Sequence, residues 1–282
     1  MQAFKVVPVP LFDTLQRALM DTLLYILAGA GVGFAVGLTG IGGGSLMTPL
    51  LILFGFPPHV AVGTDLIYAS VTKAGGVVFH HRQNTINWPL VLFMLAGSIP
   101  ASILTVSALS YFFPDASAYQ HLITSSLGVM LIVTAIVLLL KGWLNSRRDK
   151  YRKVEAPQSG VLTRSKAIIT LIMGVVLGVC VTLSSVGAGA FGAAILMTLF
   201  PYLATIRIIG TDLAHAVPLT LVGGLGHLFL GNVDFSLLAS LLVGSLPAIY
   251  LGSLLGRHLP DRLMQSILAT LLLGIGTKYA FF

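Results

Sequence analysis

Two aspartates stand inside otherwise apolar stretches, each behind the same two residues: Gly63-Thr64-Asp65 recurs as Gly210-Thr211-Asp212. An acid at such a depth is a functional candidate by default, able to carry a proton or to pair with a cation. The cations on offer are Lys73 and Arg207. Lys73 is the Lys or Arg that falls well inside a span, so it needs an acid or an anion beside it. On a helix, Lys73 and His80 lie within about 80° of Asp65, on one face. His227 corresponds to His80 in the second half. An interfacial histidine is usually just solvated, but either could relay a proton. The simpler reading of Gly-Thr-Asp is a helix cap near the interface. A metal site from His80, His81, His215 and His227 is weak, because no pair of them has the spacing of one helix turn.

The second chemical feature is backbone. Thr39-Gly40-Ile41-Gly42-Gly43-Gly44-Ser45 holds four glycines in five positions, which does not favour continuous helix. In lipid, irregular backbone persists only where it is buried in protein or lines a wet cavity. A helix restarting near Gly42 would aim its free N–H groups at that cavity, a ready anion site. Ser184-Ser185-Val186-Gly187-Ala188-Gly189 supplies the matching break, with two hydroxyls as further donors. The candidate substrate contacts are therefore Thr39, Gly42, Gly43, Gly44, Ser45, Thr64, Lys73, Ser184, Ser185, Gly187, Gly189 and Thr211. The candidate coupling or ion-pair residues are Asp65, Asp212, Arg207, His80 and His227. Gly29, Gly33 and Gly37 have small-xxx-small spacing and are assigned to helix packing. A phosphate-binding loop does not fit, since no Lys follows the glycines.

These features repeat without gaps at an offset of 147 residues. Gly40 and Gly42 fall on Gly187 and Gly189, Gly76 on Gly223, and Gly97-Ser98 with Pro100 on Gly244-Ser245 with Pro247. A duplicated apolar half with glycine breaks and buried acids is the mark of a secondary transporter. Pro100 and Pro247 sit mid-span and could kink their helices.

The elements that must position these groups are membrane helices. The chain is 56% hydrophobic and 9% charged over 282 residues, which cannot furnish a soluble surface. Ten apolar segments are predicted, at 20–39, 41–56, 59–79, 86–109, 117–141, 166–185, 188–203, 205–229, 233–256 and 261–281. The fold class is all-α, a polytopic membrane protein of two inverted-topology repeats with broken helices. Residues 1–19 form an amphipathic lead-in without the apolar core of a cleaved signal. Residues 20–142 are repeat 1, 143–165 a basic linker and 166–282 repeat 2. The net charge of +7 is concentrated in and beside that linker, which places it in the cytoplasm and the N-terminus outside. The loop charges then reverse between the halves, as inversion requires, although Lys5 and Arg17 fall on the wrong side. A four-plus-four arrangement with a parallel repeat is the alternative. One cysteine, Cys180, excludes an internal disulfide. The basic loop lacks an aromatic platform, so nucleic acid is not expected.

The run Gly33-Phe-Ala-Val-Gly37-Leu-Thr-Gly40-Ile-Gly42-Gly43-Gly44, then Pro49, Ala61-Val-Gly63-Thr64 and His80-His-Arg-Gln-Asn, resembles the TauE/SafE sulfite exporter family, also called TSUP. The resemblance covers nearly the whole chain. It implies a bacterial inner-membrane transporter of small sulfur-containing anions such as sulfite, sulfoacetate or thiosulfate. The second half departs from the glycine-rich pattern at Gly187-Ala188-Gly189-Ala190, so the two half-sites are expected to be unequal.

The expected function is a secondary transporter, not an enzyme and without cofactor, moving sulfite or an organosulfonate outward by alternating access. The expected partners are the anionic substrate, protons and the lipid bilayer. The rivals are an uptake carrier for an anion such as thiosulfate, an intramembrane enzyme and a non-transporting assembly subunit.

Overall fold

The computed structural model describes residues 11–39, 44–113, 116–154, 164–256 and 261–281. They form ten helices: α1 (Leu11–Thr39), α2 (Gly44–Leu53), α3 (Pro58–Arg82), α4 (Trp88–Phe112), α5 (Ala116–Val154), α6 (Arg164–Ser184), α7 (Ala190–Leu199), α8 (Thr205–Phe229), α9 (Phe235–Gly256) and α10 (Asp261–Phe281). Six are long and apolar enough to cross a membrane: α1, α4, α5, α6, α8 and α9. α3 is as long as α8 but carries Asp65, Lys73 and a basic last turn. The chain is thus an all-helical, polytopic membrane protein.

Helix directions follow from the contacts. Gly63 faces His227, Gly76 faces Leu213, and Gly224 faces Ile67. Numbers that rise along α3 fall along α8, so the two run antiparallel. They are also equivalent helices of the repeat, and equivalents that oppose each other make the repeat inverted. α5 and α10 repeat the pattern, with Gly128 against Ala280 and Gly276 against Ile132. The parallel four-plus-four arrangement is thereby excluded.

The halves interlock. On α1, Gly29, Gly33 and Gly37 meet Leu241, Ser245 and Ile249 of α9. On α6, Gly174 and Gly178 meet Met94 and Ser98 of α4, the repeat equivalents of Leu241 and Ser245. The first helix of each repeat therefore packs on the fourth helix of the other. Gly97 lies against the Leu171 carbonyl, and its equivalent Gly244 against the Ile26 carbonyl. Overpacking typically costs about 1–3 kcal/mol, and here the obstacle is backbone that cannot rotate away. Gly97→Val and Gly244→Val should each lower the melting temperature in detergent by several degrees or abolish monodisperse protein. Gly274 has nothing within 4 Å of an added Cβ, so Gly274→Ala should be neutral or stabilising by up to about 1 kcal/mol.

α1 and α3 run in one sense, as do α6 and α8, so α2 and α7 are return segments. Each has ten residues, about 15 Å, half the hydrocarbon thickness. α2 ends in a Schellman turn: Phe56 N–H bonds to Leu51 O and Gly55 N–H to Ile52 O, with Gly55 at φ 90°. Pro57-Pro58 then start α3 antiparallel to it.

Two boundaries differ from the sequence expectation by more than four residues. α1 begins at Leu11, inside the expected lead-in, and α5 continues to Val154, into the expected linker. No proline interrupts residues 141–154, and half of that stretch is Lys, Arg or Leu, good helix formers. α4 and α9 continue through Pro100 and Pro247.

Candidate functional site

The polar residues of the membrane core gather where α3, α8 and the α6–α7 break meet. Asp65, Lys73 and Asp212 are 0%, 5% and 3% exposed, so three ionisable groups lie away from water and lipid. α3 and α8 place them there because each acid sits seven residues into its helix, roughly 10 Å along the axis. Lys73 donates from Nζ to the carbonyl of Ala188, 2.8 Å away, in the break. Its charge faces Asp212 most strongly and Asp65 next. One cation from repeat 1 thus reaches into the broken segment of repeat 2. The position equivalent to Lys73 is Thr220, so the arrangement has no mirror.

The break itself is bent tightly. Ser185 adopts φ 56°, Gly187 φ 112° and Gly189 φ 142°. The positive φ at Ser185 is uncommon for a residue with a side chain, and such conformations cluster at functional sites. α7 starts at Ala190, two residues past the Ala188 carbonyl that meets Lys73, with no side-chain cap on its first N–H groups. Gly192 of the first turn lies directly against Oδ1 of Asp212; any side chain there would displace the carboxylate.

A second pair of residues stands three positions beyond each acid. His215 Nε2 meets Ser98 Oγ at 2.9 Å. Its equivalent Tyr68 lies by Ser245, the equivalent of Ser98. Thr48 of α2 donates to Oδ2 of Asp65 at 2.5 Å. Ser185 also faces Asp65. Among the described residues, Asp65 Oδ1, Asp212 Oδ1, Ser185 Oγ, Tyr68 OH and His215 Nδ1 are buried without a hydrogen-bond partner. Unpartnered buried groups are costly and rare. Several around one centre mark a place made for something else.

Thr48, Tyr68, Ser98, His215 and Ser245 do not stand among the site residues expected from sequence. A signal existed. Tyr68 and His215 follow the repeated acids at helical spacing, and Thr48 is a polar residue within an apolar half-helix.

Other expected residues go elsewhere. Thr64 Oγ1 accepts from the Asp234 N–H at the start of α9. Thr211 Oγ1 accepts from the Asn87 N–H at the start of α4 and donates to Arg207 O. These equivalent hydroxyls hold the helix starts of the opposite repeat, not the Lys73 centre. Arg207 is exposed at the first turn of α8, and the cation that faces Asp212 is Lys73. Ser184 donates to Cys180 O at 2.6 Å and accepts from Val186 N, so it shapes the break. His80 pairs through Nδ1 with Thr85 at 2.8 Å. His227 Nδ1 accepts from Asn232 Nδ2 at 3.1 Å, which leaves Nε2–H to donate to Thr182 O at 2.9 Å. Both histidines are thus engaged at opposite ends of the α3–α8 pair. Gly42 and Gly43 lie outside the described residues, as do the side chains of Thr39 and Ser45; Gly44 starts α2. Among the described residues, no three of His, Cys, Asp and Glu gather as metal ligands.

Chemically, the centre offers an ammonium, a free histidine nitrogen and a helix N-terminus to an anion. It also holds two carboxylates against one ammonium.

The chain is similar in sequence to known membrane proteins. The family model described as sulfite exporter TauE/SafE matches residues 25–279. The chain is 40% identical to the probable membrane transporter protein YjnA of Bacillus subtilis, over 90% of this chain and 97% of that protein. It is 28% identical to YdhB of the same organism, over 86% and 94%. It is 26% identical to the probable membrane transporter protein MJ0441 of Methanocaldococcus jannaschii, over 88% and 91%. No solved structure matches the chain significantly. With a family match across nearly its whole length and the inverted, interlocked repeats of a membrane carrier, the chain belongs to the TauE/SafE sulfite exporter family.

Proposed function

We propose that this protein is a secondary transporter of small sulfur-containing anions, sulfite or an organosulfonate, working by alternating access between its two repeats. The observation that carries the reading is the buried Lys73 ammonium held in the break beside the α7 N-terminus. Lys73 has three donors and spends one on Ala188. An oxyanion could take the others, together with His215 and the N–H groups at Gly189 and Ala190. The residues of the break belong to repeat 2 and Lys73 to repeat 1, so movement of one repeat against the other opens the site to either side. Asp65 and Asp212 are the groups that would couple a cation, whether a proton or a metal ion.

Orientation follows the basic residues. The ends bearing Arg82, Arg164 and Arg207 lie on one face with the long end of α5, and we assign that face to the cytoplasm of a bacterial inner membrane. Lys278 lies on the other face. With the inside negative, export of an anion is favoured by roughly 2.3 kcal/mol per charge per 100 mV.

A second reading, uptake of a similar anion such as thiosulfate together with a cation, is favoured by the charge count. With all three groups ionised, the centre is already negative, so an added anion needs a proton or a metal cation. Radiolabelled thiosulfate and sulfite in proteoliposomes decide between the two. Efflux that accelerates with an imposed potential and needs no cation gradient supports export. Accumulation that requires an inward cation gradient supports uptake. No protein-dependent flux of either anion or of an organosulfonate would overturn both.

A further inference from the structure

We propose that Asp65, Thr48, Ser185 and Tyr68 form a binding site for a sodium ion, separate from the anion position at Lys73. All four are at most 1% exposed. Thr48 touches the carboxylate, Ser185 faces it, and Tyr68, one helical turn on, lies by Ser245 within the field of the Asp65 charge. Asp65 Oδ1, Ser185 Oγ and Tyr68 OH have no hydrogen-bond partner among the described residues. A proton on Asp65 Oδ1 could be donated to Ser185 Oγ and so satisfy both, which leaves Tyr68 OH. A hard monovalent cation takes several oxygens at once and matches a single carboxylate. Broken-helix backbone beside such a carboxylate is where carriers hold a coupling ion.

The repeat gives an internal comparison. Asp212 is the equivalent of Asp65, but its surroundings have diverged. The equivalent of Thr48 is Ile195, and that of Tyr68 is His215. What faces Asp212 is the Lys73 ammonium, where repeat 2 has Thr220. One acid therefore has a resident cation and few oxygens. The other has the hydroxyls of Thr48 and Ser185 turned to it, and the Lys73 ammonium is anchored on Ala188 and faces Asp212 more strongly. Sodium at Asp65 does for that carboxylate what Lys73 does for Asp212. With sodium in place the centre is neutral before the anion arrives, so the two ions bind cooperatively. The consequence for transport, sodium–anion symport, rests on the carrier reading above; the site itself does not.

The test is binding of radiolabelled sodium to the purified full-length protein, with choline holding ionic strength constant. Saturable binding in the millimolar range is expected, with weak competition by potassium. Asp65→Asn should abolish it. Thr48→Val and Tyr68→Phe should each weaken it by about tenfold, the effect of one lost hydrogen-bonding oxygen. Asp212→Asn should still bind sodium. Monodispersity and melting temperature establish which variants are folded, and the two hydroxyl deletions serve if Asp65→Asn is not. No saturable binding, or binding unchanged in a folded Asp65→Asn or in both hydroxyl variants, overturns the proposal. Anion currents that persist in choline without sodium binding would remove the sodium site and leave the carrier. Sodium binding without any anion current would keep the site and remove the carrier.

Discussion

Lys73→Met is expected to abolish anion-evoked current. The ammonium is the buried cation nearest the break and the strongest donor an oxyanion meets there. A hydrogen bond to a charged group is worth about 1.5–3 kcal/mol, so apparent anion affinity should fall by about 10- to 150-fold. The variant should also be less stable. Lys73 is the buried cation that faces Asp212 without touching it, and removing it leaves that carboxylate less compensated, which costs stability. The double variant Lys73→Met with Asp212→Asn removes that stray charge. It should recover most of the lost melting temperature and none of the current. Lys73→Arg keeps the charge but not the reach of a single point donor, and should retain weak current. Recovery of current in the double variant would mean that Lys73 only neutralises Asp212 and never meets substrate.

The second large effect is expected at the break. Gly187→Val and Gly189→Val force side chains into φ values of 112° and 142°, at about 1–3 kcal/mol each. At Gly187 the added carbon also meets the Met130 methyl at 2.8 Å. The strain is relieved by moving the break, which shifts the Ala188 carbonyl off Lys73 and Gly192 away from Asp212. Transport should be lost at both positions even where folded protein is recovered. Gly55 has φ 90° but open space around it and lies in the α2–α3 turn. Gly55→Ala should therefore cost about 1 kcal/mol of stability and keep its current. If Gly189→Val transports like the parent while Gly55→Ala does not, the break is not part of the pathway.

Much of this arrangement is legible in the sequence, and the parts that are not have physical reasons. The ten segments, the duplication and the inversion can be read because apolar length, glycine spacing and loop charge each report them directly. Burial of Asp65 and Asp212 can be read because an acid seven residues into an apolar helix has little chance of reaching water. The destination of Thr64 and Thr211 cannot. A threonine hydroxyl beside a buried acid looks like a site ligand, yet both turn to backbone N–H groups of the opposite repeat. That exchange exists only once the repeats interlock. The direction of α2 and α7 is hidden as well, since a ten-residue apolar run looks the same up or down. Lys73 already stands out along the chain as the cation inside a span, and the structure buries it in mid-helix while Arg207 is exposed at a helix start. His80 and His227 draw notice as a repeated pair, whereas Tyr68 and His215 differ in type at matched positions. That difference is the trace of a duplicated site whose halves have taken separate tasks.

The most direct measurement is the current from proteoliposomes on a solid-supported membrane. Sulfite, thiosulfate, sulfoacetate, sulfate and chloride would be offered in turn, each with and without sodium and proton gradients. A current specific to a sulfur-containing anion, absent with chloride and absent in Lys73→Met, is the expected result. Equal silence across the panel, or a sulfur-anion current that Lys73→Met leaves intact, would contradict anion transport at the Lys73 centre.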